Sequence, residues 1–399
     1  MPIAGNLVSK GMRSVTQPTR VWSELRRMMR PLLNTDFTKR FIDWQEYESM
    51  QMLQAYLDDS STWYLHNSRY ATGVMYGIIA GERLSKTDAE MQEYRRTTME
   101  FLASIQSTAV DFFPFLEYLP RSLQVWRHKW EAMGARHYQA FTSWWHPIKT
   151  QATGDKAQHS WVKQVILGPT TNFLGNEDEA AYLTNTLISA GGDNPRIALN
   201  TCLMASIVHT SACHHVRTEI DTVCHDPDGS LRLPATSDIP QMPYTCAFIK
   251  ECLRYYPVVP MVPPHTAAES FSFEQYTFPK GTSFILNIPT ITRDYLDPQS
   301  FQPERWIDGR GGEAKLTEAF WGFGGGKRVC IGYKAAQTGL FLPFARLMMC
   351  FEVGKAGDFD DRRVNAWSSG EPFPLMLRLR EEEYRELILR KAKAKKMPE

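Results

Sequence analysis

One cysteine stands in a segment that is rich in glycine and positive charge. Residues 321–332 read WGFGGGKRVCIG and contain Cys330. Glycines allow the backbone to wrap closely around a sulfur atom and to point N–H groups at it. Lys327 and Arg328 add positive charge, and the dipole of a helix predicted over residues 333–353 acts in the same direction, so the thiolate is favoured over the thiol. A sulfur atom held in this way is suited to bind a metal ion.

Five positions of this loop follow a pattern that is known from one enzyme family. Phe323, Gly326, Arg328, Cys330 and Gly332 match F-x-x-G-x-R-x-C-x-G at every specified position. The loop therefore resembles the cysteine-ligand loop of the cytochrome P450 family. The resemblance implies that Cys330 is the axial thiolate ligand of a haem iron. On the loop alone, the alternative is a glycine-rich turn around a buried structural cysteine.

The net charge, the cysteines and the apolar runs of the chain argue against several other classes of protein. A net charge of +1 over 399 residues argues against a dedicated nucleic-acid binder. The seven cysteines are odd in number, scattered and never in a C-x-x-C pair, which indicates reduced thiols and not a disulfide framework. The sequence contains no run of eighteen apolar residues, so it predicts no membrane-spanning helix. The first twenty residues lack the apolar core of a signal peptide.

A basic helix is predicted over residues 18–34, and it carries an aromatic residue and a cation on one face. Trp22 and Arg26 are four positions apart, so their side chains lie next to each other. An indole N–H and a guanidinium can hold one carboxylate together. The pair resembles the P450 helix that binds a haem propionate; the alternative is a surface patch over the core.

A long helix is predicted over residues 177–221, and its middle carries an unusual segment. Residues 190–195 read AGGDNP. Glycine and proline in a helix interior cost about 1 and 3 kcal/mol, so a helix with a purely structural role would not be expected to keep them together. We therefore interpret this segment as functional.

The same segment resembles the P450 helix that crosses above the iron, with the pattern A/G-G-x-D/E-T. Ala190, Gly191 and Asp193 fit the pattern, whereas Asn194 and Pro195 depart from it. The family's threonine hydroxyl assists proton delivery to dioxygen, and an amide does this less readily. Our hypothesis is that Asp193 and a water at the Gly191 carbonyl deliver protons, while Asn194 positions that water. The alternative is an inert kink between two helices.

Three charged residues are arranged as in the salt-bridge set of the P450 family. Glu251 and Arg254 lie on one face of a helix predicted over residues 244–256, and Arg305 follows in the segment FQPERW, residues 301–306. The order E-x-x-R, then P-E-R, then the cysteine loop is specific. The resemblance implies that the three side chains form a buried triad beneath the haem, with a structural role.

A small β region is predicted between these motifs, over residues 258–264 and 271–288. His265 lies between the two runs. Family members often place a basic residue there, facing a haem propionate; the alternative is a solvated loop histidine.

The fold class that we predict is mainly α with a small β region, as in a cytochrome P450 fold that is incomplete at the N-terminus. Residues 1–399 would form a single catalytic domain without the N-terminal anchor and the first β-rich segment. Residues 381–399 are predicted to be a solvated charged tail, with contact to a membrane or a reductase as the alternative. Full-length relatives act at the cytosolic face of the endoplasmic reticulum, so a chain without an anchor is expected to be cytoplasmic or peripheral.

The resemblance implies a haem-thiolate monooxygenase with heme b as its cofactor. It would hydroxylate or desaturate a hydrophobic small molecule of fungal secondary metabolism, using O2 and electrons from an NADPH-cytochrome P450 reductase. Lys327 and Lys334 are candidates to face that reductase. One rival is a P450-fold enzyme that rearranges or couples its substrate without ordinary oxygen insertion. The other rival is a truncated, inactive haem-binding remnant.

Overall fold

The computed structural model describes residues 2–105, 108–154, 158–169, 173–225, 230–307, 320–365 and 370–398. Within these ranges the chain is mostly helical, and none of the described helices is long and apolar enough to cross a membrane. The α-helices are α1 (Thr19–Met29), α2 (Thr35–Asp58), α3 (Trp63–Ala80), α4 (Asp88–Ala103), α5 (Ala109–Phe112), α6 (Arg127–Thr153), α7 (Glu177–Val208), α8 (Thr210–Cys224), α9 (Pro243–Tyr255), α10 (Ile288–Ile291), α11 (Tyr333–Cys350) and α12 (Glu382–Ala394).

The strands are short and pair antiparallel, two by two. They are β1 (His265–Thr266), β2 (Phe271–Phe273), β3 (Tyr276–Phe278), β4 (Ser283–Phe284), β5 (Phe351–Lys355) and β6 (Leu375–Leu379). β1 pairs with β4, β2 with β3, and β5 with β6. A mainly α fold with a small β region is therefore confirmed.

Helix α7 lies at the centre of the core. It starts at a capping box, in which Asn176 and Glu179 each accept a hydrogen bond from the other's backbone N–H. Helices α3, α6, α9 and α11 pack around it. A Cβ atom at Gly191 would lie 2.5 Å from Cγ and Sδ of Met75 in α3, so glycine at this position allows the two helices to approach closely.

The long helix predicted over residues 177–221 is two helices in the structure. Pro195 lies inside α7 without ending it. The break occurs instead at His209, which has φ −108° and ψ 65° and precedes α8. The His209 ring stacks on Phe301 with centroids 4.0 Å apart, and this tertiary contact has no sequence-local signal.

The C-terminal segment differs from the solvated tail that the sequence predicts. Residues 382–394 form α12, which packs against α2 and β6. Its side chains Tyr384, Leu387 and Ile388 are buried, at helical spacing, while its charged residues cover the opposite face. The high fraction of charged residues hides this apolar stripe when composition alone is considered.

Candidate active site

A cavity of about 770 Å³ lies between α7 and the cysteine loop. Its wall is mostly apolar, and Cys330 lies on it. All seven cysteines fall within the described ranges, and Cys330 is the exposed one among them. The other six are buried in the helical core: Cys202, Cys213, Cys224, Cys246, Cys252 and Cys350. The sulfur chemistry of this chain is therefore available at one place, the wall of this cavity.

The backbone of the cysteine loop folds around the sulfur atom. Gly324 and Gly326 have φ angles of 71° and 59°, in the left-handed region that favours glycine. A Cβ atom at either position would meet no atom within 4 Å, so the space beside the loop is open. The Cys330 N–H donates to the Phe323 carbonyl at 2.8 Å, and the Gly332 N–H donates to Cys330 Sγ at 3.3 Å. An N–H group is thus aimed at the sulfur.

The charge that acts on the Cys330 thiol differs from the prediction. Desolvation by the surrounding protein raises the pKa of Cys330, and the Gly332 N–H and the Arg26 guanidinium oppose this rise without cancelling it. Lys327 and Arg328, which the sequence suggested, do not contribute to this pKa shift. Metal binding releases the proton from a thiol ligand, so the protein alone does not have to hold a thiolate here.

Trp22, Arg26 and Arg328 meet beside the cysteine loop. The Arg26 Nη2 donates to the carbonyl of Val329 at 2.7 Å, and the Arg328 guanidinium carbon lies 3.7 Å from the centre of the Trp22 ring. Trp22 and Arg26 do share a helix face, as expected. Arg328 contributes to the cavity wall, whereas Trp22 and Arg26 are not among its lining residues. The stacked and bonded set fixes the loop next to Cys330.

Asn194 and Pro195 line the cavity on the side of α7. The Asn194 Nδ2 donates to the carbonyl of Ala190 at 3.0 Å. The side chain thus bonds the backbone of its own helix, one turn earlier. This differs from the expected arrangement, in which Asn194 held a water at the Gly191 carbonyl.

Asp193 faces away from this cavity. Its carboxylate is buried and lies 3.4 Å from Nε of Arg196. It contributes to a separate cavity of about 10 Å³, with Thr72 and Arg95 among the other lining residues. Desolvation raises the pKa of Asp193, while Arg196 and Arg95 lower it. Asp193 and Asn194 therefore face different spaces, and a proton-delivery role for Asp193 stays a prediction.

Glu251, Arg254 and Arg305 form one buried cluster. Arg254 donates to both carboxylate oxygens of Glu251, at 2.9 and 2.7 Å, and Arg305 Nε donates to Glu251 Oε1 at 3.1 Å. Sequence reasoning missed two further donors, the Trp306 Nε1 at 2.9 Å and the Gln302 N–H at 2.8 Å. Both residues flank the P-E-R motif, and this position in the sequence could have indicated them as donors. All these donors converge on a carboxylate that has no exposed surface.

His265 and Phe323 both contribute to the cavity wall. His265 is exposed on β1, opposite Phe284 of β4. Phe323 is half-buried and packs edge to face on Phe320, with centroids 6.2 Å apart. A ring nitrogen is thus available on the cavity wall, together with the Arg328 guanidinium.

The residues at this cavity fit a haem. The cavity volume is in the range of cofactor sites, and its wall is mostly apolar. The exposed sulfur of Cys330 is a suitable iron ligand, the open glycine backbone leaves room for a flat ring, and Arg328 and His265 can bind carboxylates.

Comparison with known proteins agrees with this site. The family model "Cytochrome P450" matches residues 6–368. The chain is 28% identical to cytochrome P450 monooxygenase aneD of Aspergillus aculeatus, over 95% of this chain and 74% of that protein. It is 30% identical to cytochrome P450 monooxygenase drtD of Aspergillus calidoustus, over 90% of this chain and 67% of that protein.

A solved structure of a zebra fish cytochrome P450 with abiraterone has a TM-score of 0.71 to this chain. It is 19% identical, and the match covers 95% of this chain and 87% of the zebra fish chain, which shows a common fold. The family and the fold imply a haem that is ligated by a cysteine thiolate. The chain belongs to the cytochrome P450 family of monooxygenases.

Proposed function

We propose that the chain is a haem-thiolate monooxygenase that hydroxylates or desaturates a hydrophobic small molecule, with Cys330 as the iron ligand. One observation carries this proposal. The exposed cysteine faces a mostly apolar cavity of about 770 Å³, which α7 bounds with Ala190, Asn194 and Pro195. When bound there, haem supplies the activation of O2.

The side chains around the cavity have separate roles in this proposal. The Gly332 N–H holds the sulfur of Cys330, and Phe323 and Gly326 shape the loop around it. Trp22 and Arg26 hold a haem propionate in this proposal, and Arg328 and His265 bind haem carboxylates with them. Trp22 also stacks on Arg328, and Arg26 donates to the neighbouring Val329 carbonyl. The apolar wall excludes water and accepts an apolar substrate.

The proposed substrate is a hydrophobic small molecule, for example a polycyclic one, of secondary metabolism. The mostly apolar cavity supports a hydrophobic substrate, and the fungal relatives, which are named monooxygenases and match most of the chain, support the type of reaction. Product analysis with candidate apolar compounds, O2 and an electron supply tests it.

The proposed electron donor is an NADPH-cytochrome P450 reductase at the cytosolic face of the endoplasmic reticulum. Lys327 lies in the cysteine loop and Lys334 follows it, and both are exposed, so they can meet an acidic partner surface. Charge reversal of both residues is expected to slow turnover that is driven by the reductase. Unchanged turnover would remove these two lysines from the proposal.

The experiment that tests the central proposal is a reduced carbon monoxide difference spectrum of the purified chain. A Soret band at the position typical of thiolate ligation supports the enzyme, and Cys330→Ser should abolish this band while Cys246→Ser keeps it. Protein without any haem would support the rival hypothesis, an inactive remnant.

A second candidate function is rearrangement or coupling of the substrate without ordinary oxygen insertion. It is supported by the Asn194 amide, which bonds Ala190 and stands where the family pattern has a threonine hydroxyl. Reactions under isotopically labelled O2 separate the two functions. Label in the product supports insertion, and an altered product without label supports rearrangement.

A further inference from the structure

Arg13 is a buried cation whose side chain lacks an acidic partner. It is 3% exposed, and its Nε and Nη2 atoms make no hydrogen bond with any described residue. No ion pair joins Arg13 to a carboxylate in the part of the chain that the structure describes. Buried charges in proteins are normally paired, because an unpaired one costs several kcal/mol.

Two aromatic rings lie next to the guanidinium of Arg13. Its carbon lies 4.3 Å from the centre of the Phe101 ring and 4.7 Å from that of Phe141. Phe141 in turn packs on Tyr182 at 4.9 Å, and the buried hydroxyl of Tyr182 also makes no hydrogen bond with a described residue. The buried atoms without a hydrogen bond at this place include the Nε–Nη2 edge of Arg13, the phenol of Tyr182 and Nδ1 of His137.

The carboxylate of Glu100 in α4 does not neutralise Arg13. It accepts two bonds from Arg136, at 2.7 and 2.8 Å, and one contact from His137 at 3.0 Å. Burial first, and then the charge of Arg13, lower the pKa of His137 to about 4, so this histidine is neutral at pH 7. Water could satisfy the N–H groups of Arg13 but would leave its charge uncompensated.

The free edge of Arg13 is the edge that binds carboxylates in pairs of hydrogen bonds. In the same protein, Arg254 uses Nε and Nη2 to hold both oxygens of Glu251, at 2.9 and 2.7 Å. We infer that Arg13 and Tyr182 form a binding site for the carboxylate of a small molecule, where α4, α6 and α7 meet the segment that precedes α1.

This site is distinct from the cavity at Cys330. Tyr182 precedes Ala190 by eight residues in α7, which corresponds to about 12 Å along the helix axis. Neither Arg13 nor Tyr182 lines the larger cavity. The carboxylate has two sources that share this chemistry: a free small acid, or the acidic end of an apolar substrate that reaches from one site to the other.

The N-terminal segment packs on one of the helices that enclose Arg13. The π-helical turn Pro2–Val8 packs on α6, and a Cβ atom at Gly134 would collide with the carbonyl of Leu7. The segment therefore lies directly on the helix that carries His137 and Phe141. A bound carboxylate would hold this segment, α4 and α6 together.

The test uses the haem-loaded protein and its thermal unfolding in sodium formate, with sodium chloride at equal ionic strength as the reference. Formate should raise the Tm of the wild type in a saturable way, whereas chloride should not. Arg13→Met should lose this response, and Tyr182→Phe should need roughly tenfold more formate. Lys10→Met removes an exposed charge of the same segment, and it should respond like the wild type.

A wild type that responds equally to formate and chloride would overturn the inference without any variant, even if Arg13→Met does not fold. A formate response that survives in a folded Arg13→Met would overturn it as well. Binding of lauric acid and of methyl laurate distinguishes the two sources of the carboxylate. The binding of each compound is monitored by the shift of the Soret band. If Arg13→Met binds lauric acid more weakly than the wild type but binds methyl laurate equally well, the site belongs to a substrate carboxylate. If the variant binds both compounds as the wild type does, the site belongs to a free small acid.

Discussion

The side-chain amide of Asn194 donates to the carbonyl of Ala190, 3.0 Å away and one turn earlier in α7. The bond directs a polar group along the wall of the cavity, at the point where the family pattern has a hydroxyl. The amide N–H is committed to the helix backbone, so the amide oxygen is the group that remains for a water or a substrate. At this position the cavity wall therefore carries an amide and no hydroxyl.

Asn194→Ala is expected to uncouple the consumption of NADPH from product formation. The change removes the amide oxygen that remains for a water next to Pro195, and our hypothesis is that this water takes part in proton delivery. We expect peroxide per NADPH to rise and oxidised substrate to fall, measured with a reconstituted reductase. Asn194→Thr restores a hydroxyl and is expected to couple at least as well as the wild type. The same coupling ratio in Asn194→Ala would contradict this role.

Arg254→Ala is expected to prevent haem incorporation because it leaves the buried Glu251 carboxylate short of one cation. Breaking a buried pair costs about 3–5 kcal/mol. The measurements are the ratio of haem to protein after purification and the free energy of unfolding in urea.

Arg385→Ala is the matched control for this prediction. Arg385 pairs with Glu382 at 2.7 Å with the same three-residue spacing, but both side chains are exposed. Its loss is expected to cost less than about 1 kcal/mol and to leave haem content unchanged. Similar effects of the two substitutions would show that burial of the Glu251 cluster is not what matters.

Arg328→Lys is expected to weaken haem retention although the charge is kept. The planar guanidinium lies 3.7 Å from the centre of the Trp22 ring, and an ammonium group does not stack in this way. The loss is about 0.5–2 kcal/mol, which should appear as faster transfer of haem to an acceptor protein. Lys327→Arg changes an exposed neighbour and should leave the transfer rate as it is. Equal rates in all three proteins would exclude the stacking contribution.

Glu48 is expected to make the protein less stable as the pH rises. Burial between α2 and α3 raises the pKa of Glu48 to about 7, and Arg83, 3.8 Å away, lowers it only in part. The unfolded carboxyl loses its proton near pH 4.3, whereas the folded one keeps it up to about pH 7. The free energy of unfolding should therefore fall through this window, by roughly 4 kcal/mol in total, and level off above it.

Glu48→Gln isolates this contribution because the amide has nearly the same shape and does not titrate. Urea unfolding of both proteins between pH 5 and pH 8 should show the variant gaining stability relative to the wild type as the pH rises. A constant difference between the two proteins across this range would mean that Glu48 is ionised in the folded state throughout.

The local patterns of the sequence were sufficient for the parts of the site that depend on neighbouring residues. The glycines of residues 321–332 indicated a backbone that can wrap closely around the sulfur, and Gly324 and Gly326 do adopt left-handed angles, which glycine tolerates best. The pairing of Glu251 with Arg254 follows from their spacing on one helix face, and the motif order indicated that Arg305 would join them.

Only the tertiary structure decided which way the remaining groups face. Successive residues on a helix point about 100° apart, which allows Asp193 and Asn194 to face different surroundings but does not require it. The packing of α3 and α4 on α7 decides that Asn194 meets the cavity and Asp193 does not. The raised pKa of Cys330 depends on desolvation by the folded protein, which the guanidinium of Arg26, 304 residues earlier in the chain, opposes. The unpaired charge of Arg13 likewise exists only because α4, α6 and α7 enclose it, which no spacing along the chain can express.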